Sequence, residues 1–373
     1  MVKSIAKSWV MDLSIYEPGK PIEDLARELG CEDPDVIDKL ASNENALGPS
    51  PRAVEAMKKS AEQMHRYPDG SAHYLRQALG SRLGVKPDQI LVASGSNEIL
   101  EFIGHVFLEP GVDVVMASQA FAVYRLIAAM FQARVIAVPM RDYTHDLDAM
   151  LAAITPKTKV VFVANPNNPT GTMVGDEAID RFVDGLPDHV VVCFDEAYIE
   201  LIPQDCQPNT LKYVREGRKV ILLRTFSKTY GLAGLRIGYA VAPEEGIALM
   251  NRVRQPFNVN AMALAAGLAA LEDEDHVEKT RKLTREGLSF FEERLSRLGV
   301  PYVPSVANFL LVEVGQGREI SRAMEKEHVI VRPMDAYGLP RHIRVTVGTR
   351  EENKRCIKAL AKVTGNVEPK KSS

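Results

Sequence analysis

Between residues 89 and 242, seven short runs (89–93, 113–117, 134–138, 159–164, 189–194, 220–223 and 237–241) are nearly continuous Val, Ile, Leu or Ala. Apolar runs that do not alternate with polar residues mark strands buried on both faces, and the intervals between most of them are long enough for crossover helices. The pattern predicts an α/β fold with a seven-stranded, mainly parallel sheet. Past Gln255-Pro256-Phe257 the texture changes. Residues 261–298 read as one long helical stretch, with Glu278, Lys279, Arg281 and Lys282 on a solvated face. Residues 299–363 then alternate strand-like runs (309–314, 329–332, 342–347) with helical ones (318–326, 352–363), as a smaller α+β unit does. The expected organisation is an N-terminal arm with part of the small domain over 1–38, a large α/β domain over 39–257 and a small α+β domain over 258–373.

Composition narrows the function classes. A chain of 373 residues with 46% hydrophobic and 25% charged residues can bury a large core in two domains. Its formal charge of −3 gives no basic excess for a nucleic acid or a membrane surface, so neither partner is expected. Cys31, Cys193, Cys206 and Cys356 are too scattered for a metal or redox motif and too few for a disulfide framework, which fits a reducing cytoplasm. Residues 1–15 carry Lys3, Lys7 and Asp12 among their apolar residues and lack the unbroken stretch of a signal peptide. No run approaches the roughly 20 apolar residues of a membrane span. His65, His73 and His105 have no ligand spacing, so no metal site is expected.

Four segments at predicted strand ends carry the chemistry, because open α/β sheets bind ligands outside the carboxyl ends of their strands. Ala93-Ser94-Gly95-Ser96-Asn97-Glu98 runs from a strand through glycine into a helix, whose free amides and dipole suit a phosphate. Taken singly, it is a capped turn. Asn165-Pro166-Asn167-Asn168-Pro169-Thr170-Gly171 is a stiffened turn directly after a strand. In Val192-Cys193-Phe194-Asp195-Glu196-Ala197-Tyr198 a carboxylate follows apolar strand residues. An anion at that depth needs a cationic or hydrogen-bonding partner, and a protonated pyridine nitrogen would serve; capping a helix is the other reading of Asp195. Finally, Thr225-Phe226-Ser227-Lys228-Thr229-Tyr230-Gly231-Leu232-Ala233-Gly234-Leu235-Arg236 sets one lysine among hydroxyls and glycines. Such a lysine forms an imine if its amine can be neutral, and Thr225, Ser227 and Arg236 suit a phosphate dianion.

Together these segments resemble those of the fold type I pyridoxal-phosphate aminotransferases, and within them the histidinol-phosphate aminotransferase family, over nearly the whole chain. The narrower resemblance rests on Lys39-Leu40-Ala41-Ser42-Asn43-Glu44-Asn45 with Leu47-Gly48-Pro49-Ser50, on Arg66-Tyr67-Pro68-Asp69, on the Lys228 segment, and on Ile343-Arg344-Val345-Thr346-Val347-Gly348-Thr349. It implies pyridoxal 5′-phosphate as cofactor, held by Lys228 as a Schiff base. It also implies that Asp195 pairs with the ring nitrogen, that Asn165 and Tyr198 bond the ring oxygen, and that Phe121 stacks on the ring. The phosphate would rest on Ser96, Asn97, Thr225, Ser227 and Arg236, with Tyr67 supplied by the second subunit of a homodimer. For substrate, the resemblance implies that Arg344 grips an α-carboxylate and Arg332 meets the substrate's phosphate. Asn43 would line the pocket, and Tyr16 would ride an arm closing over the partner's site.

Three positions depart from the family's usual residues: Ala46 for a proline, Asn97 for an aspartate and Phe121 for a tyrosine. None removes a group the chemistry needs, since stacking requires only a ring. Glu44 and Glu196 read as hydrogen-bonding or loop-ordering groups. The implied activity is transamination between L-histidinol phosphate and 2-oxoglutarate, giving imidazole acetol phosphate and L-glutamate in histidine biosynthesis. An aminotransferase for phenylalanine and tyrosine, or an amino-acid-phosphate decarboxylase of the same fold, would use the same cofactor residues. A dinucleotide-binding module fits less well, because the first strand ends in Gly95-Ser96-Asn97 instead of a GxGxxG turn.

Overall fold

The structure, a computed structural model, describes residues 2–13, 15 and 19–365. After a two-residue strand, β1 (Asp38–Lys39), come β2 (Ile90–Ala93), β3 (Asp113–Ala117), β4 (Arg134–Val138), β5 (Thr158–Ala164), β6 (Val191–Asp195), β7 (Val220–Thr225) and β8 (Gly238–Val241). The latter seven form one sheet in the order β2-β8-β7-β6-β5-β3-β4, in which β8 alone runs antiparallel to its neighbours. The unbroken apolar runs have a direct cause. Val161, Val163, Val192, Phe194 and Leu222 face one helical layer, while Val160, Phe162, Cys193, Ile221 and Leu223 face the other. Both faces of each strand are therefore core. None of the helices among the described residues is long and apolar enough to cross a membrane.

The remaining strands are β9 (Tyr302–Val303), β10 (Phe309–Glu313), β11 (Val329–Ile330), β12 (Arg332–Pro333) and β13 (His342–Thr346). Four of them make an antiparallel sheet in the order β12-β13-β10-β9, while β11 pairs in parallel with β1. A third core joins this sheet to the helices Glu274–Leu298 and Arg350–Thr364 through Phe291, Leu295, Val312, Ile343, Val345 and Leu360.

Two element-level expectations change. The stretch 261–298 is two helices, Ala261–Leu271 and Glu274–Leu298, because the Asp273 carboxylate accepts from the His276 amide at 3.3 Å and so caps a new helix. The first of these does not join the smaller unit: Ala263, Ala266, Ala270 and Leu271 pack into the large core beside Leu75 and Leu79. On this packing we place the domain boundary after Leu271 instead of after Phe257. The run 329–332 also divides, its halves pairing in different sheets.

The turn after β7 is pinned by one glycine. Gly231 has φ +70, and a Cβ there would lie 2.1 Å from the Gly48 carbonyl oxygen. Gly231→Ala is expected to lose stability by about 1–3 kcal/mol, since both the left-handed backbone and the backbone contact oppose a side chain. The readout is the urea midpoint at constant m-value; an unmoved midpoint would show that the turn yields freely.

Candidate active site

The carboxyl ends of β2, β5, β6 and β7 open on one cavity of about 290 Å³. Because β8 runs the opposite way, its beginning reaches the same edge and delivers Arg236 there. Ser96, Asn97, Phe121, Asp195, Tyr198, Thr225, Ser227, Lys228 and Arg236 line this cavity, as do Asn43, Arg332 and Arg344. The fold thus gathers residues from seven separate stretches of sequence.

Asp195 ends β6 with its carboxylate buried. The Tyr124 phenol donates to its Oδ2 at 2.8 Å and the Ala197 amide to its Oδ1 at 3.2 Å. Burial nonetheless pushes its pKa up to about 6, against these hydrogen bonds. Glu196 contributes no such group to the cavity: its carboxylate accepts from Arg224 Nε at 2.8 Å and from the Thr210 hydroxyl. Lys228 Nζ donates to the Ser42 carbonyl at 3.1 Å and lies 5.7 Å from the centre of the Tyr198 ring. Burial first, then Arg344 and Arg236, lower its pKa to about 7 against the opposing pull of Glu44 and Asp195. Half-neutral near pH 7, this amine can act as nucleophile and base. Tyr198 accepts from Asn43 Nδ2 at 2.9 Å, and burial raises its phenol to about 12.

An anion cradle lies alongside. The helix Ser96–Phe107 begins at Gly95, which has φ 82 and provides no side-chain cap, so the first amides face the cavity unshielded. A Cβ on Gly95 would lie 2.7 Å from Arg236 Nη2, so the guanidinium sits directly against the helix entry. Gly238 opens the same corner, since a Cβ there would meet the Ser96 amide at 2.8 Å. The Thr225 and Ser227 side chains complete the rim.

Two expected residues do not line the cavity. The Asn165 side chain turns away: its Nδ2 donates to the Val174 carbonyl at 3.0 Å and its Oδ1 accepts from the Val174 amide at 2.8 Å. With both ends engaged it clamps the loop, and Asn168 takes the cavity position instead, accepting from Arg344 Nη1 at 2.5 Å. Sequence alone presents Asn165 and Asn168 alike, each followed by proline. Tyr67 is 83% exposed and stacks on Phe257 at 4.7 Å, apart from its own chain's cavity. Tyr16 lies outside the described residues. Besides Asn168, two residues were missed, Tyr124 beside Asp195 and Tyr337 on the cavity wall. The first could have been found as the second aromatic of the Phe121 segment; no sequence signal marks the second.

An amine near half-neutrality, a buried carboxylate and a phosphate-sized cradle on one sheet edge define an imine-forming transferase site for an aldehyde cofactor with a ring nitrogen and a phosphate. Residues 35–360 match the family model "Aminotransferase class I and II". A protein of Akkermansia muciniphila named histidinol-phosphate aminotransferase is 49% identical over 97% of this chain and 99% of its own length. One of the same name from Moorella thermoacetica is 47% identical over 95% and 92%. The crystal structure of histidinol-phosphate aminotransferase from Sinorhizobium meliloti, in complex with pyridoxal-5′-phosphate, matches with a TM-score of 0.88 at 28% identity, covering 97% of this chain and 98% of that one. The chain belongs to the class I and II aminotransferase family.

The donor set fits pyridoxal phosphate. Asp195 is buried with two neutral hydrogen-bond donors on its oxygens, and the uncapped helix start with Arg236 suits the phosphate. In cofactor-free protein, acetylation of Lys228 is expected to rise with pH through an inflection near 7. Surface lysines should stay protonated to about pH 10. Peptide mass spectrometry across a pH series reads this directly, and an inflection near 10 for Lys228 would show a solvated amine.

Proposed function

We propose that the protein moves an amino group between L-histidinol phosphate and 2-oxoglutarate, yielding imidazole acetol phosphate and L-glutamate, and that it works as a cytoplasmic homodimer with pyridoxal phosphate. The observation that carries the substrate is a pair of arginines. Arg332 on β12 and Arg344 on β13 are direct cross-strand partners, so both project on one face of the sheet, and both line the cavity. Like charges placed opposite each other repel, and an anion between them relieves the repulsion. Histidinol phosphate has a phosphate and no carboxylate, whereas glutamate brings carboxylates; one guanidinium pair can take either in turn.

When bound, pyridoxal phosphate supplies an aldehyde that captures the substrate amine and an electron-withdrawing ring that acidifies the substrate α-carbon. The protein's residues do the rest. Ser96, Asn97, Thr225, Ser227 and Arg236 would hold the phosphate, Asp195 would keep the ring nitrogen protonated, Asn168 and Tyr198 would bond the ring oxygen, and Phe121 would pack against the ring. Lys228, neutral in good part near pH 7, would take the proton from the substrate α-carbon and deliver it to the cofactor's former aldehyde carbon, the second half-reaction running the same transfer in reverse. Arg344 and Arg332 orient the substrate's anionic group so that this carbon faces the amine.

A dimer is supported by the surface around Tyr67. Tyr67 and Phe257 are exposed and stack on each other, and the exposed Tyr74 lines a largely apolar groove with Pro68, Ala72, Leu75, Leu264 and Leu268. Exposed apolar surface of this kind suits a second copy, which would bring Tyr67 to its partner's phosphate.

For Arg332→Ala, kcat/KM with histidinol phosphate should fall about 100-fold or more, the loss of a charged contact to a dianion, while phenylalanine and tyrosine suffer less. Wild-type preference for phenylalanine or tyrosine over histidinol phosphate would overturn the assignment. Mixing Tyr67→Ala with Lys228→Ala subunits should restore part of the activity, because one site per hybrid dimer keeps both residues. With subunit exchange verified by mass spectrometry, inactive hybrids would count against shared sites.

A further inference from the structure

Strand β13 does more than carry Arg344. Its odd and even residues divide cleanly: Ile343 and Val345 enter the core of the smaller unit, whereas His342, Arg344 and Thr346 share the opposite face. Each of these three grips something outside that core. Arg344 donates to the Asn168 Oδ1 and, through Nη2, to the Ala41 carbonyl at 2.7 Å. Thr346 Oγ1 accepts from the Asn43 amide at 2.9 Å. His342 Nε2 lies 3.2 Å from the Tyr143 phenol, the rings edge to face at 5.6 Å.

Tyr143 sits where a tyrosine is disfavoured. Arg141 and Thr144 exchange both backbone hydrogen bonds, at 3.0 and 2.8 Å, closing a two-residue turn on Asp142 and Tyr143. These have φ 47 and φ 61, a conformation usually met by Asn-Gly. A bulky residue held at positive φ is kept there by its surroundings. Three contacts keep it. The ring packs with Val303, Leu311, Met334 and Tyr337 of the smaller unit, the phenol meets His342, and the carbonyl accepts from Thr172 Oγ1 at 2.7 Å. Thr172 in turn ties down the loop that carries Asn168: its Oγ1 is 2.9 Å from Thr170 Oγ1, and its carbonyl accepts from the Asn167 amide at 2.8 Å.

We infer that Tyr143 and His342 are a positioning pair that sets Arg344 against Asn168, and hence sets the height of the anion grip over the cavity. Tyr143 holds both members of that contact: its backbone fixes the Asn168 loop, and its phenol fixes the strand of Arg344, two residues along the same face from His342. The His342 ring has no other polar partner among the described residues, its Nδ1 being buried without one. Burial holds the His342 pKa below its ordinary value, against the raising effect of Glu313 opposite it and with a smaller lowering from Arg341. Burial thus favours the neutral imidazole beside the phenol. Tyr143 touches no reacting atom; it acts through Arg344.

This rests on the reading of Arg344 as the anion grip, so Arg344→Lys is measured alongside. In the holoenzyme, Tyr143→Phe removes one oxygen and leaves the packing. It should raise KM for both 2-oxoglutarate and histidinol phosphate about three- to ten-fold, the worth of one buried hydrogen bond, with kcat within about two-fold of wild type. His342→Gln should do the same, and the double variant should be no worse than the worse single, as coupled residues behave. A drop in thermal midpoint with KM unchanged in both singles, or KM effects that multiply in the double, would overturn the pair. If Arg344→Lys raises KM while Tyr143→Phe does not, the pair alone fails. If Arg344→Lys leaves KM unchanged, the anion-grip reading fails and the pair with it.

Discussion

The arrangement depends on one costly placement, a carboxylate at the end of a strand buried on both faces. Burying Asp195 costs several kcal/mol unless it is compensated. The Tyr124 phenol and the Ala197 amide supply hydrogen bonds but no charge. The nearby guanidinium of Arg224 is already engaged by Glu196. Lys228 helps a little, yet its own burial and the two arginines around it drive it toward neutrality. The two groups are thus tuned toward each other, the acid upward and the amine downward. That is the condition in which a pyridine nitrogen gains most from the carboxylate and a carbonyl gains most from the amine.

Bringing those groups together is a matter of strand direction. In a purely parallel sheet the beginning of β8 would lie at the far edge. Because β8 is antiparallel between β2 and β7, its first residue, Gly238, pairs with Ala93 and Thr225 at the active edge. Arg236, just before it, adopts φ 54 and turns onto the uncapped helix start, which Gly95 can present only because it has no side chain. One reversed strand therefore converts a generic helix N-terminus into a cradle with a fixed counter-charge.

The large sheet was legible because burial on both faces leaves an unbroken apolar signature, and twelve of the residues that line the cavity were legible from the words of the resemblance. What was not legible has specific causes. Asn165 and Asn168 have the same local chemistry, and only the register of the loop against Val174 decides which faces inward. The break at Asp273 hides in a run of charges, where a capping aspartate looks like any solvated one. Val329 to Arg332 reads as a single strand because nothing local shows that its halves belong to different sheets. His342 and Tyr143 are far apart in sequence, and the turn between Arg141 and Thr144 carries neither the Asn nor the Gly that would flag its conformation.

The smaller sheet shows how core and site can share one element without conflict. In a strand the side chains alternate, so β13 can bury Ile343 and Val345 while His342, Arg344 and Thr346 face the other way. Its neighbour β12 adds Arg332 in register with Arg344. Between this face and the large sheet runs the segment 41–43. The Ala41 carbonyl takes Arg344, the Ser42 carbonyl takes Lys228, and the Asn43 side chain takes the Tyr198 phenol. Three consecutive residues thus connect the anion grip, the amine and the phenol. These bonds couple β13 to the segment that runs beside the amine. The face that carries Arg344 and the segment beside the amine share this backbone, so a residue such as Tyr143 can act on substrate affinity without approaching the substrate.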